Sequence, residues 1–199
     1  MRKLSVAILA LAFLAGCSSE PAKPVPAAAK PQPKTPEALT GTSAFYKCYI
    51  AARGWAQDAQ PFRLESETTG DFKGRDGKAG SWRAGFASPG QHSVKPYTWS
   101  NGEVSPGIED TYSPTNASTT VFNMQFLKVD SDKALETAQK HGGDKLLEKE
   151  PDTPILYLLD WNRQKNELTW QVIYGTDRMS AKLRVAVNAS TGEFLRVEK

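Results

Sequence analysis

The chain is poor in the residues that most catalytic and metal sites need. Its 199 residues include two cysteines, Cys17 and Cys48, and two histidines, His92 and His141. Two isolated histidines do not make a zinc site, which takes three or four ligands. There is no His-Glu-x-x-His, no Gly-x-Ser-x-Gly, no pair of neighbouring cysteines and no glycine-rich dinucleotide loop. Asp58, Asp110, Asp152 and Asp160 are scattered and read as solvated carboxylates. The loop Gly70–Lys78 holds glycines, but its spacing fails the phosphate-binding pattern, and Lys73 and Arg75 stand where a calcium loop needs oxygen ligands. These absences exclude a recognisable catalytic, cofactor or metal set, so the expectation is a protein that is not an enzyme and takes no cofactor. No apolar run approaches the ~20 residues that span a bilayer.

What is present is concentrated at the N-terminus. Arg2 and Lys3 precede an apolar run from Leu4 to Leu14, and Leu14-Ala15-Gly16-Cys17 follows. A basic start, a short apolar stretch and small residues describe a cleaved signal segment rather than a membrane span. The arrangement resembles a bacterial lipoprotein signal peptide (residues 1–16) with its lipobox. Ala10-Leu11-Ala12 also fits an ordinary secretory cleavage site, which leaves that processing open. The resemblance implies lipidation of Cys17 by diacylglycerol and further acyl chains such as palmitate. Several such chains, at ~0.8 kcal/mol per buried methylene, hold a protein durably on a membrane. Ser18 and Ser19 follow the cysteine in place of Asp. In a cell with two membranes the resemblance then implies sorting to the outer membrane, with the folded part facing the periplasm. In a cell with one membrane the same signal implies its outer face.

Residues 17–39 form a Pro/Ala/Lys-rich tether, with Pro21, Pro24, Pro26, Pro31, Pro33 and Pro36 among alanines and Lys23, Lys30 and Lys34. The segment has little to bury and cannot repay its ordering entropy, so it is expected to be disordered. Extended polyproline geometry at ~3.1 Å per residue gives a reach of roughly 70 Å. The formal charge of +3 belongs to this end of the chain. Five basic and two acidic residues lie before residue 40, and 20 of each sign remain beyond it. The folded part is neutral, without the basic footprint of nucleic-acid binding. It retains only Cys48, which excludes an intramolecular disulfide.

Beyond the tether the pattern is α+β. Phe45, Cys48, Tyr49, Ala52, Trp55, Ala56 and Ala59 share one face of a helix predicted over Ala44–Ala59, with Pro61 ending it. Cys48 on that stripe reads as a buried, inert thiol. Strands are predicted over Phe62–Thr68, Ser81–Ser88, Val94–Ser100 and Thr119–Val129, with turns at Asn101-Gly102 and Ser105-Pro106-Gly107. A second helix is predicted over Ser131–His141, ended by Gly142-Gly143. Strands follow over Pro154–Trp161, Glu167–Tyr174, Lys182–Asn188 and Phe194–Val197.

The order helix-then-hairpins occurs twice, predicting two tandem units, 40–128 and 129–199. Ser81-Trp82-Arg83-Ala84-Gly85-Phe86 parallels Thr169-Trp170-Gln171-Val172-Ile173-Tyr174, and Phe45, Tyr49 and Ala52 parallel Ala134, Ala138 and His141. The second unit resembles the PepSY domain, through Ala134 and Ala138, then Leu168-Thr169-Trp170-Gln171-Val172, then Leu183-Arg184-Val185-Ala186-Val187-Asn188-Ala189-Ser190-Thr191-Gly192-Glu193. Asn188 stands where that family usually carries Asp. The first unit keeps the Trp strand but lacks the Thr-Gly ending. The resemblance implies a small envelope-associated module suspected of restraining peptidases. The functional expectation is a membrane-held binding module whose partner is an envelope protein, such as a peptidase, as the resemblance implies, or an assembly factor. The alternative is a binder of small ligands or cell-wall fragments, using a Trp-lined cleft between the two units.

Overall fold

Leu168, Trp170, Val172 and Tyr174, which alternate along the sequence, lie on a strand inside one long antiparallel sheet. The structure, a computed structural model, describes residues 37–67, 69–70 and 72–198. The predicted signal segment, Cys17 and the predicted tether as far as residue 36 lie outside the described residues. The elements are β1 (Leu39–Thr40), α1 (Gly41–Trp55), β2 (Gln60–Glu67), β3 (Lys78–Ala79), β4 (Ser81–Ser88), β5 (Ser93–Ser100), β6 (Glu103–Pro106), β7 (Asp110–Thr111), α2 (Ser131–Ala138), α3 (Asp144–Lys149), β8 (Ile155–Asn162), β9 (Glu167–Tyr174), β10 (Leu183–Asn188) and β11 (Phe194–Glu198).

Leu39, at the predicted end of the tether, is already in the fold, because β1 pairs with β3 through Leu39↔Ala79. The main sheet runs β11-β10-β9-β8-β2-β4-β5-β6, with β7 added against β5. Each helix is thus followed by a meander of four strands. The two meanders join where β2 pairs with β8, through Arg63↔Asp160, Leu64↔Leu159 and Glu65↔Leu158. The two expected units therefore share one sheet and one core. α1 packs on β4 and β5, and α2 on β9 and β10.

One face of the sheet carries the core. Trp82, Phe86 and Trp99 from the first half and Tyr157, Trp170 and Tyr174 from the second are fully buried in one core, where Trp82 meets Tyr157 and Trp170. Deep indoles need a hydrogen-bond acceptor, and both central ones find it in the same place. Trp82 Nε1 donates to the Leu39 carbonyl and Trp170 Nε1 to the Val129 carbonyl, each at 2.8 Å and each two residues before the helix of its half. The helices meet the core at matching positions. Ala44, Phe45 and Cys48 lie three, four and seven residues after the first residue of α1, as Ala134, Leu135 and Ala138 do in α2, and all six are buried. The expected match of Phe45, Tyr49 and Ala52 to Ala134, Ala138 and His141 is one residue out of step. His141 has left helical geometry altogether (φ −106°, ψ 37°).

Several other expectations are corrected. α1 begins three residues early and stops at Trp55, and Pro61 lies inside β2 rather than ending the helix. The predicted strand over Thr119–Val129 is two single turns of 3-10 helix, Ala117–Thr119 and Met124–Phe126. The side chains of Asn116 and Asn123 accept from the N–H two residues ahead (Ser118, Gln125; both 2.9 Å), which closes a turn and removes the segment from any ladder. Phe122, between the turns, drops into the core against Phe45. Ser105 and Pro106 belong to a short strand, β6, and α3 follows the second helix where the sequence suggested only an end. The Asn101-Gly102 turn is as expected. Both residues have positive φ (51° and 83°), the geometry a two-residue hairpin demands.

Candidate functional site

The face of the sheet opposite the helices is where the charged strand residues collect. Period-two alternation places Arg63 and Glu65 on β2, Arg83 on β4 and Asp160 on β8 on this open face, because Leu64, Trp82, Ala84 and Leu159 point to the core. At the junction of the two halves Arg63 and Asp160 are direct cross-strand neighbours. A cleft of about 210 Å³ opens above them, walled by Phe62, Trp161 and the 117–120 segment. Phe126, from the second 3-10 turn, packs behind Trp161 with ring centroids 5.3 Å apart.

Arg178 completes the cleft from the β9–β10 loop. Thr169 is the residue opposite Asp160, five residues before the end of β9. At ~3.3 Å per residue that is about 17 Å of strand, so the loop must fold back along the open face to bring Arg178 there. Asp177 holds the loop in shape. Its carboxylate accepts from the backbone N–H of Met179 and Ser180 (both 2.8 Å) and from the Ser180 hydroxyl. The Ser180 hydroxyl, above all, holds the Asp177 carboxyl below the ordinary range.

The electrostatics centre on Asp160. Burial pushes its carboxyl above the ordinary Asp range, against the lowering pull of Arg63 and Arg178. Arg63 spends its Nε on Glu65 (2.9 Å) rather than on Asp160. The hydrogen bond to Asp160 comes from Gln171 Nε2, at a long 3.5 Å. Next to it, Gln171 Oε1 and Thr169 Oγ1 have no hydrogen-bond partner, although the two residues are only 5% and 1% exposed. The cleft continues into a broader groove of about 680 Å³ that shares Phe62, Arg63 and Ser118 and adds Arg83, Glu109 and Asp110, with Ile108 90% exposed at its rim. The whole surface is a mosaic of guanidinium groups, carboxylates and apolar side chains, suited to recognition.

The residues singled out from sequence fall as follows. Cys17 lies outside the described residues. Cys48 is fully buried, its Sγ 3.7 Å from the Tyr97 carbonyl, and burial pushes its thiol up to about 12. His92 sits exposed in a turn, and His141 stacks on Phe194 with ring centroids 3.8 Å apart. Asp58 accepts from Ser88 Oγ (2.6 Å) and the Gly90 N–H (2.7 Å), and Asp152 pairs with Lys73. Asp110 lines the broad groove, and Asp160 alone of the four enters the cleft. The expected Trp-lined cleft is not formed, since Trp82, Trp99 and Trp170 are core residues and only Trp161 reaches the opening. Arg63, Phe62 and Arg178 were not foreseen. A usable signal was the charged Asp160 closing the apolar run Ile155-Leu156-Tyr157-Leu158-Leu159.

Among the described residues no three His, Cys, Asp or Glu side chains gather to hold a metal, and no helix is long and apolar enough to cross a membrane. No family model matches the chain, and no curated protein matches it. The fold is similar to that of the crystal structure of a putative lipoprotein (CD1622) from Clostridium difficile 630, with a TM-score of 0.50 over 77% of this chain and 93% of that chain. The two are 13% identical, so the likeness is one of fold.

Proposed function

We propose that this protein is an envelope lipoprotein, anchored through lipid on Cys17, whose folded part binds another envelope protein without catalysing a reaction. The observation that carries the reading is the open face of the sheet at the β2–β8 junction. Arg63, Arg83 and Arg178 stand there beside Asp160, Phe62, Trp161 and the protruding Ile108. Arginine and tryptophan with apolar neighbours are the composition of interface centres. The lipobox-like leader and the Pro-rich tether support an anchored module working away from the membrane, and the similar fold of a protein described as a lipoprotein is consistent with it. In a two-membrane cell the location would be the outer membrane, facing the periplasm. We read the two halves as PepSY-like repeats, supported by the matched Trp-to-carbonyl hydrogen bonds ahead of each helix.

A wall-fragment or small-ligand role has less support. The junction cleft, at about 210 Å³, is smaller than the ~300 Å³ at which small-molecule sites usually begin, and the adjoining groove of about 680 Å³ is lined by the charged Arg63, Glu65, Arg83, Glu109 and Asp110 where such sites are mostly apolar. The test is cross-linking capture from whole cells with the lipidated full-length protein, tagged at its C-terminus, followed by mass spectrometry. One dominant envelope protein is expected, lost when Arg63 and Arg83 are both replaced by Ala. Capture unchanged by those substitutions, or turnover of an envelope substrate by the purified protein, overturns the reading.

A further inference from the structure

The junction cleft holds an acidic side chain whose hydrogen-bonding needs the fold leaves unmet. Asp160 is taken largely out of water, yet it receives one long hydrogen bond, from Gln171 Nε2 at 3.5 Å. A buried carboxylate ordinarily collects two or three donors or a close ion pair. Its cross-strand neighbour Arg63 is turned to Glu65, the nearer carboxylate. Arg178 acts on Asp160 through space, without a hydrogen bond to it. Two further oxygens in the same neighbourhood lack partners. Gln171 Oε1 belongs to the amide that already reaches Asp160, and Thr169 is directly across the ladder from it. Phe62 and Trp161 line the opening. Aromatic faces attract cations as well as apolar stems. The volume suits one long side chain better than a whole small molecule.

We infer that the cleft at Asp160 is a subsite for a single cationic side chain, a lysine ammonium or arginine guanidinium presented by the bound partner protein. The cation donates to the Asp160 carboxylate and the Gln171 carbonyl oxygen, and its aliphatic stem lies between Phe62 and Trp161. Arg178, held over the cleft by the Asp177 turn, is the resident cation that the incoming group displaces. The inference rests on the binding-module reading above, since it names the chemistry of that partner at one point.

A direct probe separates the two. N-acetyl-lysine amide and N-acetyl-arginine amide are titrated into the isotope-labelled full-length protein in detergent, following the Trp161 indole N–H and the Gln171 side-chain amide by NMR. Saturable shifts at both groups in the millimolar range are expected, with none from N-acetyl-glutamate amide. Asp160→Asn, which keeps the shape of the side chain, should weaken the response about tenfold or more, as removal of one partner of a charge pair does. Arg178→Ala should strengthen it several-fold by removing the competitor. Equal shifts from the glutamate amide, no shift from either cationic amide, or a response untouched by Asp160→Asn overturns the inference. Capture of a partner from cells equally well by wild type and by Asp160→Asn also overturns it while leaving the binding-module reading intact. Capture of no partner by wild type removes that reading without affecting what the amides show.

Discussion

Trp82 and Trp170 meet edge to face where the two halves of the sheet join, with ring centroids 6.4 Å apart and planes at 73°. Each indole is fully buried, and each ties its strand to the chain entering its own helix. The pair therefore couples four elements, β4 and β9 with α1 and α2, through one contact.

Replacing Trp170 by Ala should cost about 3–5 kcal/mol of stability, and Trp82→Ala a similar amount, because both are fully buried. The double variant should lose less than the sum by about 0.5–1.5 kcal/mol, the worth of an edge-to-face pair. Urea unfolding of the four proteins measures this. Strict additivity would show that the rings do not act on one another.

Gly41 should not accept a side chain, although it opens a helix. An added Cβ would lie 2.6 Å from Trp170 Cη2 and 3.1 Å from Trp82 Cη2. Alanine gains about 1 kcal/mol in helix propensity, and overpacking two fixed indoles costs about 1–3 kcal/mol. Gly41→Ala is therefore expected to lower the midpoint of thermal unfolding. A rise would show that the rings have room to move.

Asp160→Asn should stabilise the protein at neutral pH and lose that advantage in acid. Burial raises the folded-state pKa of Asp160 above its unfolded value, so the folded protein prefers the proton. Wild-type stability from this group is fully present below the ordinary Asp range, near pH ~3.9, and falls as pH rises through the higher folded value. The amide carries no charge and escapes the loss. Thermal unfolding across pH 3–7 tests this, and a difference between the two proteins that does not shrink toward low pH counts against it.

Cys48 should be inert to thiol reagents in the folded state. Its thiol is fully buried and pushed up to about 12, so almost no thiolate exists at neutral pH. In a Cys17→Ala variant, labelling by a disulfide reagent should wait for denaturant. Labelling at the rate of a free thiol without denaturant would contradict the packing of α1 on β5.

Much of the local structure was legible because it follows short periods. Leu168, Trp170, Val172 and Tyr174 announce a strand by alternation, and Ala134, Leu135 and Ala138 a helix by spacing. The turn at Thr191-Gly192 was legible in the same way, and Asn188 closes it, its Oδ1 accepting from the N–H of Ser190 (2.8 Å) and Thr191 (3.1 Å). The apolar residues of Thr119–Val129 suit a strand, but Asn116 and Asn123 capture the backbone first, a local competition that alternation does not record.

The basic and apolar start that ends in Cys17, the Pro/Ala/Lys-rich stretch after it, the neutral charge of the rest and the two-fold succession of helix and strands are properties of the sequence by itself, since composition and nearest-neighbour spacing encode them. The seam between β2 and β8 is different. Arg63 and Asp160 lie far apart in the chain, and only the register of two strands from different halves makes them neighbours. The arrival of Arg178 above them depends on a loop turning back over the sheet. No local period records either event. Pairing across the whole sheet and the closing of its core decided where this protein's charges meet.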